Sequence, residues 1–249
     1  MHSYKFRPIY SFPGILGYML GLDNLTRKLT HLARDPLGVT VRRIRALGHS
    51  VDSQRWANVR LAQYGALSML GDFVAKRPKD AIGPVYTHLW YLYKTVRKRK
   101  PRVALEFGSG CSTLIIAKAL SDNKKGYLYS VDSSSQWAES TFNCIPSALR
   151  RFFEISYSPV SVEVEDSGLR LLKHQRIPDV APNFVFLDGP PLAPGEVAAD
   201  LLHMEDQLPP DFMLVIDKRW ENTVFLKKRL KRDYVIKQGE LSVFVLQSC

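Results

Sequence analysis

One run of residues has the composition to hold a charged ligand: Glu106-Phe107-Gly108-Ser109-Gly110-Cys111-Ser112-Thr113. Gly108 and Gly110 lack Cβ, so the backbone there can turn sharply and let a ligand lie against it. Ser112 and Thr113 then open an amphipathic stretch whose first amides, unpaired as at any helix start, favour a carboxylate or phosphate. Asp132 follows roughly 20 residues beyond the loop, placed to accept both hydroxyls of an adenosine ribose, with Ser133 beside it. Two further acids, Asp188 and Asp217, also close apolar runs. A carboxylate in such a place can orient an acceptor or take its proton. Arg219 carries a planar fork suited to an anionic acceptor, a carboxylate or phosphate. Each acid taken singly could equally be a helix cap or a turn former. Asp188 precedes Gly189, and Arg219 could instead pair with Asp217 or Glu221.

The elements that must position these residues follow from the apolar runs. Val103 to Glu106, Tyr127 to Val131, Asn183 to Leu187 and Phe212 to Ile216 read as strands, each closed by a polar or acidic residue. In an open α/β sheet ligands bind outside the carboxyl ends of the strands, so four such ends would converge on one crevice. Phe153 to Glu165 contains a third strand with two alternative ends. Asp233 to Lys237 and Glu240 to Leu246, joined by Gln238-Gly239, predict a hairpin with a two-residue turn. The fold class expected is therefore α/β, a doubly wound, mostly parallel sheet ending in an antiparallel hairpin.

A dinucleotide fingerprint asks for a third glycine where this loop has Thr113, which disfavours a nicotinamide or flavin oxidoreductase. Glu106-Phe-Gly-Ser-Gly-Cys-Ser112 instead resembles the first motif of class I S-adenosylmethionine-dependent methyltransferases. The resemblance extends over roughly residues 81 to 249 by element order. It implies seven strands with a C-terminal antiparallel hairpin and S-adenosylmethionine as cofactor. Gly108, Ser109 and Gly110 would lie under the methionine part, with Ser112 and Thr113 following. Glu106 would orient the amino group, Asp132 and Ser133 the ribose, and Ser158 to Val160 the adenine. Asp188 becomes the candidate base or acceptor-orienting group and Asp217 the second. Some members bind a divalent cation through acids at these two strand ends. Here Lys218 and Arg219 flank Asp217, cations that oppose such binding, and Asn222 could serve only if the loop bent back. No metal is expected. Asp188-Gly-Pro-Pro-Leu192 is similar to the Asp-Pro-Pro-Tyr motif of base N-methyltransferases, but Gly189 is inserted and Leu192 replaces the aromatic.

Composition bounds the rest. The 249 residues, 45% of them apolar, can bury a full core. Cys111, Cys144 and Cys249 are odd in number and widely spaced, favouring a reducing, cytoplasmic location, and the six histidines show no metal-ligand spacing. Residues 1–100 hold 18 Lys and Arg against 5 Asp and Glu, while residues 101–249 hold 17 against 19. The first segment is thus strongly basic and the second near neutral. The expected division is a basic helical N-terminal extension over 1–80 and a cofactor-binding domain over 81–249. Such a positive surface suggests an anionic partner, nucleic acid or a membrane surface, although a solvated helical face would look the same. Ile9 to Leu22 is apolar but short for a membrane span and interrupted by Pro13, Gly14, Gly17 and Gly21; with Arg27, Lys28, Arg42, Arg43 and Arg45 it could rest peripherally on a membrane. Val59 to Val74 and Ala81 to Val96 carry helical periodicity, the second rich in aromatics suited to core packing. The reading that emerges is methyl transfer to an O or N atom of a small-molecule or glycan-like acceptor. The alternative is a polyanion-binding protein whose nucleotide fold is not catalytic.

Overall fold

The computed structural model describes residues 51–247. The expectations for Ile9 to Leu22, for the arginines and lysine between Arg27 and Arg45, and for Cys249 therefore lie outside the described residues. Chain 51–63 is helical, and Tyr64-Gly65 then breaks the pattern because Gly65 sits at φ 67°. The helix expected over Val59 to Val74 is thus two helices, the second being α1 (Ala66–Lys76). Next come α2 (Tyr86–Arg99), β1 (Val103–Phe107), α3 (Cys111–Asn123), β2 (Tyr127–Asp132), α4 (Ser135–Cys144) and β3 (Phe153–Tyr157). The chain continues through β4 (Val160–Val164), β5 (Arg170–His174), β6 (Phe184–Leu187), β7 (Glu196–Ala198), α5 (Asp200–Met204), β8 (Met213–Asp217), α6 (Trp220–Arg229), β9 (Tyr234–Lys237) and β10 (Leu241–Leu246).

Seven strands form one sheet in the order β3-β2-β1-β6-β8-β10-β9, parallel throughout its first five members. β10 runs antiparallel to both β8 and β9. The expected two-residue turn is not what joins β9 to β10. Their last pair is Lys237 with Val243, because Leu241 and Ser242 continue past β9 to pair with Asp217 and Ile216 of β8. Phe153 to Glu165 resolves into β3 and β4, and the second of these leaves for a small separate sheet, β4-β5-β7.

The pleat sends alternate residues to two cores. Ala104, Phe184, Phe186, Met213, Val215, Leu241 and Val243 face one side, where α1, α2 and α3 contribute Leu70, Phe73, Leu89, Leu92, Leu114 and Ile115. Leu105, Phe107, Val185, Leu187, Leu214, Ile216 and Phe244 face the other, against Leu201, Met204, Phe225, Leu226 and the small sheet. Strands covered on both faces read as unbroken apolar runs, which is why four of them stand out in the sequence. α2 ends where expected. Its last turn carries Arg97, Lys98 and Arg99, favourable to the helix dipole, and Lys100 takes a left-handed cap before Pro101. The aromatics of α2 pack as core: Tyr86 and Tyr93 are buried, and Trp90 stacks on both Tyr64 and Tyr93. Among the described residues no helix is long and apolar enough to cross a membrane.

Candidate active site

The strand order reverses between β1 and β6, and the crevice of the sheet opens at their carboxyl ends. Asp188 N donates to Phe107 O at 2.9 Å and Gly108 N to Val131 O at 2.8 Å, so the loops after β1, β2 and β6 are knitted at their roots. Gly108, at φ 90°, and Gly189 touch backbone to backbone. A Cβ on Gly108 would lie 2.8 Å from Gly189 N, and one on Gly189 2.6 Å from Gly108 N. The Gly189–Pro190 peptide is cis.

Beneath the glycine loop Glu106 is fully buried. Its Oε2 accepts from Thr113 Oγ1 at 2.5 Å and Ser130 Oγ at 2.7 Å, and Thr113 Oγ1 accepts in turn from Gly110 N at 2.8 Å. The acid thus fixes the loop to the start of α3. Glu106 Oε1 has no hydrogen-bond partner among the described residues. Burial pushes the Glu106 carboxyl up to about 7, against the pull of the Ser112, Thr113 and Ser130 hydroxyls and with Asp132 adding to the rise. Ser112 is buried in the first turn of α3, which contains no acidic side chain, and Gly110 before it offers no side-chain cap.

Asp132 ends β2 and turns toward this loop. Its Oδ2 accepts from Ser109 N at 2.8 Å and Ser109 Oγ at 2.6 Å, and its Oδ1 from Ser134 N at 2.8 Å. Three of a carboxylate's roughly four acceptor positions are filled, so two ribose hydroxyls require Ser109 Oγ to yield. Ser133 lies between Asp132 and Ser134, and Ser134 is the cap of α4. Ser158 is fully buried and its hydroxyl accepts from Arg176 N, which ties β3 to the exit of β5.

Asp188 and Asp217 stand at neighbouring strand ends, just after β6 and at the end of β8. The Asp188 side chain is 43% exposed, yet its carboxyl is pushed up to about 7, first by burial of its surroundings and then by the charge of Asp217, with Arg219 opposing. Water at the exposed part screens some of that effect, so the direction carries the argument. Arg219 donates to Pro190 O at 2.7 Å and to Asp188 O, and its guanidinium stands 3.9 Å from Asp188 Oδ1. It clamps the Asp188–Pro190 loop from within. Asn222 is held away from Asp217, exchanging hydrogen bonds with Ala198 N at 3.0 Å and Ala198 O at 2.7 Å.

Sequence reasoning missed His88. It enters from α2, nearly fully buried, with Nδ1 2.6 Å from Asp217 Oδ1 and Nε2 3.2 Å from Glu240 Oε2. A lone histidine among helix aromatics gives no signal; only the fold brings it to the strand ends. A second unpredicted neighbour is Arg77, just past α1, whose NH1 reaches Cys111 Sγ at 3.5 Å. Cys111 itself is buried and its thiol is pushed up to about 11, against Arg77, so it is a poor nucleophile.

Residues 105–218 match a family model described as a methyltransferase domain. The span runs from within β1 to just past β8, which is the glycine loop, the three acidic strand ends and everything between. Residues 105–218 are therefore similar to a methyltransferase domain. The residues present fit S-adenosylmethionine: a first turn of α3 without an acidic side chain, a buried acid with one oxygen unpartnered among the described residues, and a carboxylate at the end of β2. Among solved structures, the chain is similar to an O-methyltransferase of Bacillus cereus in complex with S-adenosylhomocysteine, at 19% identity over 72% of this chain and 90% of that one, TM-score 0.45. It is also similar to a Podospora anserina methyltransferase bound to S-adenosylhomocysteine (13%, 86% and 98%, 0.46). A methyltransferase of Geobacter sulfurreducens gives 15%, 64% and 78%, 0.44. No curated protein matches the chain. His88, Arg77 and Glu240 fall outside the span matched by the methyltransferase domain.

Proposed function

We propose that the methyl acceptor is a hydroxyl of a small, glycan-like molecule and that Asp188 takes its proton. The observation that carries this is the group of Asp188, Asp217 and His88 at two adjoining strand ends beside the glycine loop. S-Adenosylmethionine supplies an activated methyl on a sulfonium. The chain must place the acceptor in line, exclude water and remove a proton. An oxygen acceptor needs a base far more than a neutral amine does, and a carboxyl raised above the usual carboxylate range is better matched to that task near neutral pH. The Asp188 carboxylate would accept the proton of the acceptor hydroxyl. Asp217 keeps the Asp188 carboxyl basic by like-charge proximity, and His88 holds Asp217 in place. A cavity of about 250 Å³ opens beside Arg219, lined also by Lys218, Trp220, Gly239, Glu240 and Ser242. An exposed indole ring among charged groups suits a polyhydroxylated ligand.

The test is calorimetry with S-adenosylhomocysteine followed by transfer of labelled methyl groups to hydroxylated and aminated acceptors. Asp188→Asn is expected to keep S-adenosylhomocysteine affinity within about threefold while turnover falls roughly 100-fold or more. Label appearing solely on amines, or full turnover by Asp188→Asn, would refute the assignment.

A further inference from the structure

We infer that Arg77 is the clamp for the carboxylate of the cofactor's amino-acid end. The inference rests on the cofactor assignment and adds a residue from outside the matched domain. Arg77 lies against the rings of Phe73 and Trp137, 5.3 and 5.8 Å from their centroids, and its NH1 donates to Ile82 O at 3.2 Å. Among the described residues that nitrogen alone is engaged, by Ile82 O and by Cys111 Sγ. Nε is buried without a partner, and NH2 sits 3.8 Å from where a Cβ on Gly110 would stand. Nε and NH2 form one edge of the guanidinium, the pair of parallel donors that a carboxylate accepts from side-on. Among the described residues no carboxylate lies within ion-pair distance of Arg77, although Glu106, Asp132 and Asp188 surround the same loop. The other arginine at the crevice, Arg219, is already committed to Pro190 O, Asp188 O and the Asp188 carboxylate.

A partly desolvated cation with its bidentate edge open calls for an anion that arrives with the ligand. The cofactor carries one anionic group, the carboxylate of its amino-acid end, and that end belongs over Gly108 to Gly110. The start of α3 beside it has no acidic residue in its first turn, so no side chain of that turn competes for Arg77. The ammonium of the same end then falls to the acids, with Glu106 Oε1 the free acceptor. Amino and carboxyl groups are thereby sorted to opposite sides of the loop, the cation held by the acid below and the anion by the arginine contributed from α1.

Calorimetry distinguishes this role from a structural one without measuring turnover. The probes are S-adenosylhomocysteine, its decarboxylated analogue, which keeps the adenosine and the ammonium, and methylthioadenosine. Wild type is expected to prefer S-adenosylhomocysteine over the decarboxylated analogue by roughly 10- to 100-fold, the range of a charge-assisted bidentate contact. Arg77→Gln should erase that preference by weakening S-adenosylhomocysteine alone, leaving the two truncated ligands within about twofold of wild type, and Arg77→Lys should restore part of it. Equal weakening of all three ligands, or unchanged S-adenosylhomocysteine affinity in Arg77→Gln, would overturn the role of Arg77. Failure of wild type to bind any of the three would instead remove the cofactor assignment itself, and the inference with it.

Discussion

A fully buried carboxyl under a ligand loop leaves a signature in the stability of the protein. Glu106 has its native pKa raised from 4.5 to about 7, so the folded chain binds this proton more tightly than the unfolded one. Stability from this group is present in full below pH 4.5 and is lost as pH rises through 7, about 3 kcal/mol in all. Urea unfolding between pH 5 and pH 8 should show that decline, and Glu106→Gln, which can keep the Thr113 and Ser130 bonds, should flatten it. Asp132 poses a different test. If Asp132 holds the ribose, Ser109 Oγ occupies an oxygen the ribose needs, so Ser109→Ala should bind S-adenosylhomocysteine as well as wild type or several-fold better, whereas Asp132→Asn should lose roughly tenfold or more. Asp217 raises the Asp188 carboxyl by like charge, so Asp217→Asn should move the acidic limb of the kcat/KM profile to lower pH. Asp132, Asp188 and Asp217 could be read in the sequence because each closes an apolar run. His88 and Arg77 could not, since their meaning lies in partners more than thirty residues away, Cys111 for Arg77 and Asp217 for His88.

Elements were legible to the extent that their burial was two-sided. β1, β2, β6 and β8 were marked by runs that both cores demand. The small sheet β4-β5-β7 was not, because its strands are short and β4 is largely exposed, leaving no pattern to read. The β9–β10 connection was misjudged for another reason: β10 answers to β8 before it answers to β9, and that partner cannot be seen from the turn residues. Contact between the β1 and β6 ends makes its own prediction. Gly189→Ala places a methyl group 2.6 Å from Gly108 N with only backbone to give way, and should cost about 1–3 kcal/mol in urea unfolding. Asn222→Ala removes both bonds that pin β7 to α6 and strands the Ala198 amide and carbonyl in a buried place, a loss also of about 1–3 kcal/mol.

At the scale of the whole molecule, the helices ahead of the matched domain are part of its core. Leu70, Phe73, Leu89, Leu92 and Val96 are buried against the same face of the sheet as Ala104 and Phe184. A chain started at residue 101 would expose that face, and is expected to be recovered aggregated rather than as a monodisperse species on size-exclusion chromatography. The imbalance of charge toward residues 1–100 belongs to this scale too. If those residues meet an anionic surface, sedimentation with phosphatidylserine vesicles should weaken steeply with salt and fall further when Arg42, Arg43 and Arg45 are neutralised. The touching glycines carry one more consequence. Where two loops share a backbone contact with no side chain to cushion it, neither can settle without instructing the other. Filling one loop should therefore sharpen affinity for a ligand on the other, and by reciprocity the second ligand should tighten the hold on the first, a thermodynamic conversation conducted where there is no room for even a methyl group.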